Sequence, residues 1–308
     1  MDSNGGDLQL GGIELQIPCG AIAKDIQVDI SLEQLAVDAS DIPFSNHMES
    51  RISPIVYCRP PGTIFNKHCS LSFPHNAVHE DFWEFTLLMR ENFLDNWKKI
   101  EGDDKNTTFT VRNGRCYIQT NHFTQWFLLG KLVELCSGRK KLTLGLFGKM
   151  LKEHYFRLRV RIWSDHDYKL VEEEEMKEDE KALDIFKPIN AKFLDIEISI
   201  GDLLNGWEVH DQRNVTLADR QIWTSRPSHG FLLKLNDASM NILVATVSCK
   251  QGLEDHKFNV HTVIQHISST TDAPHPSSAI GTSHVQRPHL GTTPRTSLSG
   301  WSKYIYCT

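Results

Sequence analysis

Phe156, Leu158, Val160 and Ile162 alternate with Arg157, Arg159 and Arg161, so apolar and cationic side chains fall on opposite sides of an extended chain. A period of two is the repeat of a β-strand, not of a helix. The same period returns along most of the sequence. Leu8 and Leu10, then Ile13, Leu15 and Ile17, then Ile26, Val28 and Ile30 hold every second position, broken by Gly11-Gly12 and Pro18-Cys19-Gly20. Trp83, Phe85 and Leu87 repeat it, and Phe109 with Val111 and Tyr117 with Ile118 flank an Asn113-Gly114 hairpin turn. Many short strands at near-regular spacing predict a mainly β chain built from antiparallel sandwiches.

The turns are specified as firmly as the strands. Ile52–Arg59 runs into Pro60-Pro61-Gly62, where proline fixes φ and glycine accepts a positive one. Pro54 lacks an N–H, which places it at a strand start or on an edge. Leu32 to Ser50 shows no sustained period and reads as a loop. The pattern predicts a first sandwich over 5–131, a connector over 132–141 and a second β domain over 142–267. In the second domain Leu170 to Leu183, with Glu172–Glu175 and Glu178 to Glu180, reads as one exposed acidic helix. Arg157, Arg159 and Arg161 read as the solvated face of their strand. Leu194, Ile196, Ile198 and Ile200 alternate again, and Phe231–Leu235, Met240–Cys249 and Phe258–Val263 supply further strands. From 268 to 308 Ser, Thr, Pro and His dominate, and such a tail is expected to stay disordered.

Composition narrows the function classes. The net charge of −6 argues against a nucleic-acid or anionic-membrane surface. No apolar run reaches the roughly 18–20 residues of a membrane helix, and Met1-Asp2-Ser3-Asn4 begins no signal peptide. The expectation is a soluble chain outside the secretory route. Seven cysteines, at 19, 58, 69, 116, 136, 249 and 307, have no C-x-x-C spacing and fit reduced thiols in a cytoplasmic protein. Cys58, His68, Cys69 and His75 match no standard zinc spacing, so neither a metal nor a cofactor is expected. The sequence holds no dinucleotide fingerprint, P-loop, nucleophile elbow or H-E-x-x-H.

One stretch has the residue types of chemistry. His122-Phe123-Thr124 lies within Asn121–Lys131, a stretch that reads as one buried strand expected to close the first domain. In an unbroken strand His122 and Thr124 would share a face, roughly 6–7 Å apart, so contact needs a local kink.

Three segments of the first domain carry a resemblance. Gly5-Gly6 and Leu15-Gln16-Ile17-Pro18-Cys19-Gly20-Ala21-Ile22 are similar to the opening of the ZU-5 domain. Ser53-Pro54-Ile55-Val56-Tyr57-Cys58-Arg59-Pro60-Pro61-Gly62 and Leu71-Ser72-Phe73-Pro74-His75-Asn76-Ala77 resemble two of its later segments, with Arg59 where glycine is usual. The second domain, through Tyr155–Trp163, Phe186-Lys187-Pro188, Phe193–Ile200 and Phe258–His261, resembles the UPA domain that follows ZU-5 in netrin receptors of the uncoordinated-5 type, in ankyrins and in some death-domain adaptors.

The resemblance implies a non-catalytic protein-interaction module of a cytoplasmic signalling protein, in guidance or apoptosis signalling. Its partners would be proteins: the two domains packed on each other, and a death domain in a longer parent. The forty-odd residues after His266 are too few for a death domain. An ankyrin-like scaffold is one alternative, without repeats to support it. The other is autoprocessing. Some relatives cut themselves at His-Phe-Ser, and the resemblance carries that role onto His122, Phe123 and Thr124. The Thr124 hydroxyl would attack the Phe123 carbonyl, although its extra methyl restricts χ1.

Overall fold

The computed structural model describes residues 1–36, 39–102, 104–134, 137–151, 154–204, 206–236 and 242–263. The expected tail, 268–308, and residues 264–267 lie outside the described residues.

The first half contains β1 (Gly6–Leu10), β2 (Ile13–Ile17), β3 (Ser31–Leu35), β4 (Glu49–Arg51), β5 (Ile55–Arg59), β6 (Ile64–Pro74), β7 (Ala77–Val78), β8 (Trp83–Arg90), β9 (Lys98–Lys99), β10 (Thr107–Arg112), β11 (Arg115–His122) and β12 (Gln125–Leu132). One sheet has the order β1-β2-β6-β11-β10 and the other β3-β5-β12-β8-β9, with β4 also on β12. All these pairings are antiparallel. The alternation of Ile13, Leu15 and Ile17 turns all three inward, and they share a core with Phe73, Ile118, Trp126 and Leu128. β12 is buried on both faces. Trp126 and Leu128 face that core, while Phe127 and Leu129 pack with Ile42, Ile55 and Leu88 on the far side. That second burial explains why the strand is a continuous apolar run.

The stretch 32–50 is not all loop. β3 and β4 form within it, and Glu33, Glu49, Ser50 and Arg51 are buried. Their polarity hides them from any apolar period; partners distant in sequence hold them instead.

The second half contains β13 (Arg139–Met150), β14 (Tyr155–Trp163), α1 (Tyr168–Lys177), β15 (Lys181–Ala191), β16 (Ile196–Leu204), β17 (Trp207–Val209), β18 (Asn214–Leu217), α2 (Asp219–Thr224), β19 (Ser228–Leu235), β20 (Ile242–Gln251) and β21 (Glu254–Val263). Its sheets run β15-β13-β14-β19-β17 and β18-β16-β20-β21 around a separate core. β12 ends at Leu132 and β13 starts at Arg139, so the two ends of the stretch read as a connector are strand and 133–138 join them.

The arginine face of β14 is not solvated. α1 crosses it, and Val171 packs with Phe147 and Trp163 in a small core of its own. Arg161 reaches Glu174 and Glu175, Arg157 reaches Glu180, and Arg159 Nε lies 3.1 Å from Glu180. The acidic segment is likewise not one exposed helix. α1 stops at Lys177, Asp179 takes a positive φ, and β15 begins at Lys181. Glu175 and Glu180 are buried. The alternation does put the arginines on one face, but the helix and strand that neutralise them lie further along the chain. Burying guanidinium and carboxylate together avoids the large cost of burying either alone.

Candidate functional site

His122 ends β11 in one sheet, and Gln125 begins β12 in the other. The ladder to β6 slips between Thr120 and His122, so the kink that contact would require does exist. The segment crosses the core: Phe123 is buried edge-on against Phe65, with ring centroids 4.6 Å apart. Its N–H donates to the Thr63 carbonyl at 3.0 Å, and its carbonyl accepts the Gly62 N–H at 3.0 Å. Gly62, with φ of 75°, comes from the Pro-Pro-Gly turn. Thr124 is fully buried and its hydroxyl donates to the Arg90 carbonyl. The Thr124 carbonyl accepts the Cys58 N–H at 3.1 Å.

The kink directs His122 elsewhere. Its Nδ1 lies 3.2 Å from Thr120 Oγ1 and 3.4 Å from Asn121 Oδ1, and its ring lies 5.6 Å from that of Trp126. Burial lowers its pKa against the opposing pull of Asp104 and Glu91, which leaves a neutral imidazole at pH 7. Both candidate residues therefore stand in one turn, each bonded to a different partner. A carbonyl oxygen holding the Thr124 proton is not a base that can remove it.

The zinc-like set does not converge. His68 and Cys69 are neighbours on β6, one exposed and one buried. Burial pushes the Cys69 thiol up to about 12, and Cys58 is raised as well. Among the described residues no group of three His, Cys, Asp or Glu side chains could hold a metal. No helix among them is long and apolar enough to cross a membrane.

A denser constellation lies where the two halves meet. β7 pairs with the start of β13, Ala77 opposite Lys140 and Val78 opposite Arg139. Lys141 N–H donates to the Asn76 carbonyl at 2.7 Å. Beside this ladder Arg51 Nη2 grips Asp167 at 2.8 and 2.7 Å, while Nη1 donates to the Ser53 carbonyl at 2.9 Å. Both side chains of the ion pair are about nine-tenths out of solvent, at 10% and 9% exposure. Burial alone would raise the Asp167 pKa; Arg51, with His166 and Arg226, overrides it and holds the carboxyl well below its usual range. Asn76 Nδ2 meets His166 Nδ1 at 3.2 Å, and Gln34 Nε2 donates to the His166 carbonyl.

Lys140 sits beneath these groups. Its Nζ donates to Ser50 Oγ at 2.9 Å and to the Trp223 carbonyl at 3.0 Å. Burial, with Arg51 adding to it and Asp167 opposing, brings its pKa down to about 7. Trp223 itself stacks on Trp83, with centroids 5.7 Å apart and planes 11° from parallel. Arg220 donates to the carbonyls of Asn46 at 3.2 Å and His47 at 2.8 Å. Phe193, its ring 6.1 Å from that of His47, and Trp223 both pack into the first core, so the seam has an aromatic centre within a frame of charges and main-chain hydrogen bonds.

Nothing in the sequence marks Arg51, Lys140, Asp167 or Trp223 as partners. Arg51 and Asp167 are 116 positions apart, Lys140 and Ser50 90, and Lys140 and Trp223 83. Lys140 stood in an Arg-Lys-Lys run that reads as a polar connector. A lysine inside what proves to be a strand, opposite an alanine, was the available signal.

Residues 1–91, through β8, match the ZU5 domain. The chain is 29% identical over 167 residues to the UNC5C-like protein of Mus musculus. That match takes in 53% of this chain and 31% of the mouse protein, so the chain spans about a third of the curated relative's length. β9 to β12 complete the same two sheets beyond the matched residues. The first sandwich is therefore similar to the ZU5 domain over residues 1–91, and part of the chain is similar to the UNC5C-like protein.

Proposed function

We propose that this chain is a non-catalytic protein-interaction module of a cytoplasmic signalling protein, in which a ZU5 sandwich and a UPA-like domain are held together by a seam that opens. The ZU5 sandwich is taken as 5–131 and the UPA-like domain as 142–267. The observation that carries the reading is the seam. The apolar contact between the halves is made by Phe193 and Trp223, which join the first core, and around it stand Arg51–Asp167, Lys140–Ser50 and the β7–β13 ladder. Interfaces rich in polar contacts can exchange their partners for others, whereas a continuous apolar core cannot without unfolding. A death domain of the kind found in the related receptors is the partner to test. In titration against such a purified domain, opening the seam with Asp167→Asn should change the affinity at least about tenfold, a shift of about 1.4 kcal/mol. Equal affinity for both forms, or no binding by either, refutes the reading.

A second reading, self-cleavage between Phe123 and Thr124, has one observation in its favour. The Gly62 N–H already donates to the Phe123 carbonyl, as an oxyanion donor would. The placement of the Thr124 hydroxyl on Arg90 weighs against it. Denaturing electrophoresis decides: fragments 1–123 and 124–308, lost in Thr124→Ala, establish cleavage, and a single band at 35.2 kDa removes it.

A further inference from the structure

β10 is an open edge of the five-stranded sheet in the first sandwich. An edge strand presents unpaired N–H and C=O groups, and folds normally blunt it with brevity, proline or charge. β9, β17 and β18 are two, three and four residues long, and β15 carries Pro188. β1 carries Asp7, β3 Glu33, and β21 both Asp255 and Lys257. β10 has none of these devices before its last residue. Thr107-Thr108-Phe109-Thr110-Val111 is uncharged and β-branched or aromatic throughout, and its ladder to β11 runs without a bulge.

The hairpin fixes which groups are free. Asn113-Gly114 is a two-residue turn, so Arg112 and Arg115 close it as a hydrogen-bonded pair, and Thr110 and Thr108 follow in step against β11. The Asn106 carbonyl, which accepts the Asn121 N–H at 3.3 Å, keeps the same parity. Thr107, Phe109 and Val111 therefore turn their main-chain groups away from the sheet. Asp104 takes the Thr107 N–H at 3.0 Å. Among the described residues the N–H and C=O groups of Phe109 and Val111 have no partner. Their side chains are half-buried against the first core, while Thr108, Thr110 and Arg112 are exposed on the outer face. The edge is also polar from end to end. Asp104 lies at its start, and Arg112 at its end stands over the Tyr117 ring, 5.1 Å from the centroid, with no carboxylate paired to it among the described residues.

We propose that β10 pairs antiparallel with β10 of a second copy of this chain, on a two-fold axis through Thr110, joining their two sheets into one. In that register Phe109 faces the partner's Val111, so both free N–H and both free C=O groups of each copy find a complement. Thr110 faces its own counterpart at a non-hydrogen-bonded position, where side chains lie closest and a Thr–Thr pair is favourable. Arg112 faces the partner's Thr108, with the partner's Asp104 beside it, so opposite charges meet at both ends and like charges at neither. The edge is thus complementary to its own reverse, which singles out a second copy over an unlike strand. β9 presents only Lys98 and Lys99 on the neighbouring edge, so the pairing extends one sheet of each sandwich. No residue of β10 belongs to the seam, and the pairing stands whether or not the seam opens.

The test is sedimentation velocity of the full chain from about 1 to about 200 µM. The wild type should shift with concentration from 35.2 kDa to twice that mass. Val111→Pro removes an N–H that β11 does not use, a change an edge strand tolerates, and should weaken the dimer at least about tenfold. Thr110→Lys and Thr110→Glu each set like charges opposite one another across the axis and should do the same. Thr110 is exposed, so these two variants keep the fold, which thermal unfolding checks. Mixed together, the Lys and Glu variants should pair again, because Lys then faces Glu. A wild type that stays monomeric up to about 200 µM overturns the proposal and leaves the edge to an unlike strand. Dimers untouched by the substitutions, open-ended polymers in place of dimers, or a Lys–Glu mixture that stays monomeric would overturn it as well.

Discussion

Asp167→Asn is the sharpest perturbation of the seam. The carboxylate accepts two hydrogen bonds from one guanidinium nitrogen, at 2.8 and 2.7 Å, with both side chains nearly closed to solvent. The amide keeps the shape but removes the negative charge, and Arg51 remains buried with its positive charge unanswered. Breaking a buried pair by removing one partner costs about 3–5 kcal/mol. Asn keeps one acceptor for Arg51, which puts the expected cost at the lower end, about 3 kcal/mol, or roughly a hundredfold in the closed-to-open ratio. Limited proteolysis within 133–138, the segment between β12 and β13, together with urea unfolding, reads that change. The double variant Arg51→Met with Asp167→Leu removes both charges and should recover to within about 1 kcal/mol of wild type. The pH profile gives an independent check. Because the Asp167 pKa is depressed in the fold, its contribution is complete above the ordinary carboxylate value and is lost as the pH falls below it. Asp167→Asn should lack that part of the acid limb. A cost under about 1 kcal/mol, or acid unfolding that matches wild type, refutes the argument that this pair holds the seam.

Three further outcomes are expected. Wild-type protein and Thr124→Ala should each run as a single band, and the variant should lose about 1–2 kcal/mol in urea because the Arg90 carbonyl loses its buried donor. Glu180 is raised from 4.5 to about 7, chiefly by burial and by its hydrogen bond with Glu175, which outweigh Arg159 and Arg157. A raised carboxyl contributes below its unfolded pKa and loses that contribution as the pH climbs through the raised value. Glu180→Gln should therefore flatten the loss of stability between about pH 4.5 and 7, followed by thermal unfolding across that range. Gly145→Ala puts a Cβ within 2.7 Å of Phe186 Cδ1 and closer still to the Trp163 ring. Overpacking of that kind costs about 1–3 kcal/mol and should lower Tm.

The strands were legible because burial against a sheet imposes a period of two on the sequence itself. Leu8 to Ile17, Trp83 to Leu87 and Phe156 to Ile162 carry that period, and each lies in strand. The Asn113-Gly114 turn joins β10 to β11, with both residues at positive φ as a two-residue hairpin turn requires. β4 was invisible for the converse reason. Glu49, Ser50 and Arg51 are polar and wholly buried, and nothing local distinguishes them from loop.

The sequence by itself determined that the chain is mainly β, where most turns fall, and that Arg157, Arg159 and Arg161 share a face. It read His122 and Thr124 as neighbours on one strand, where the structure ends β11 at His122 and begins β12 at Gln125. Only the tertiary structure decided what those groups meet. It set α1 and the start of β15 over the arginine face, gave the Thr124 proton to Arg90, and brought Arg51, Lys140, Asp167 and Trp223 into one seam. The physical reason is one of range. Alternation is a relation between neighbours along a strand, so the local sequence carries it. The partner of a buried charge is fixed by how sheets stack, across about a hundred intervening residues, and no local pattern encodes it.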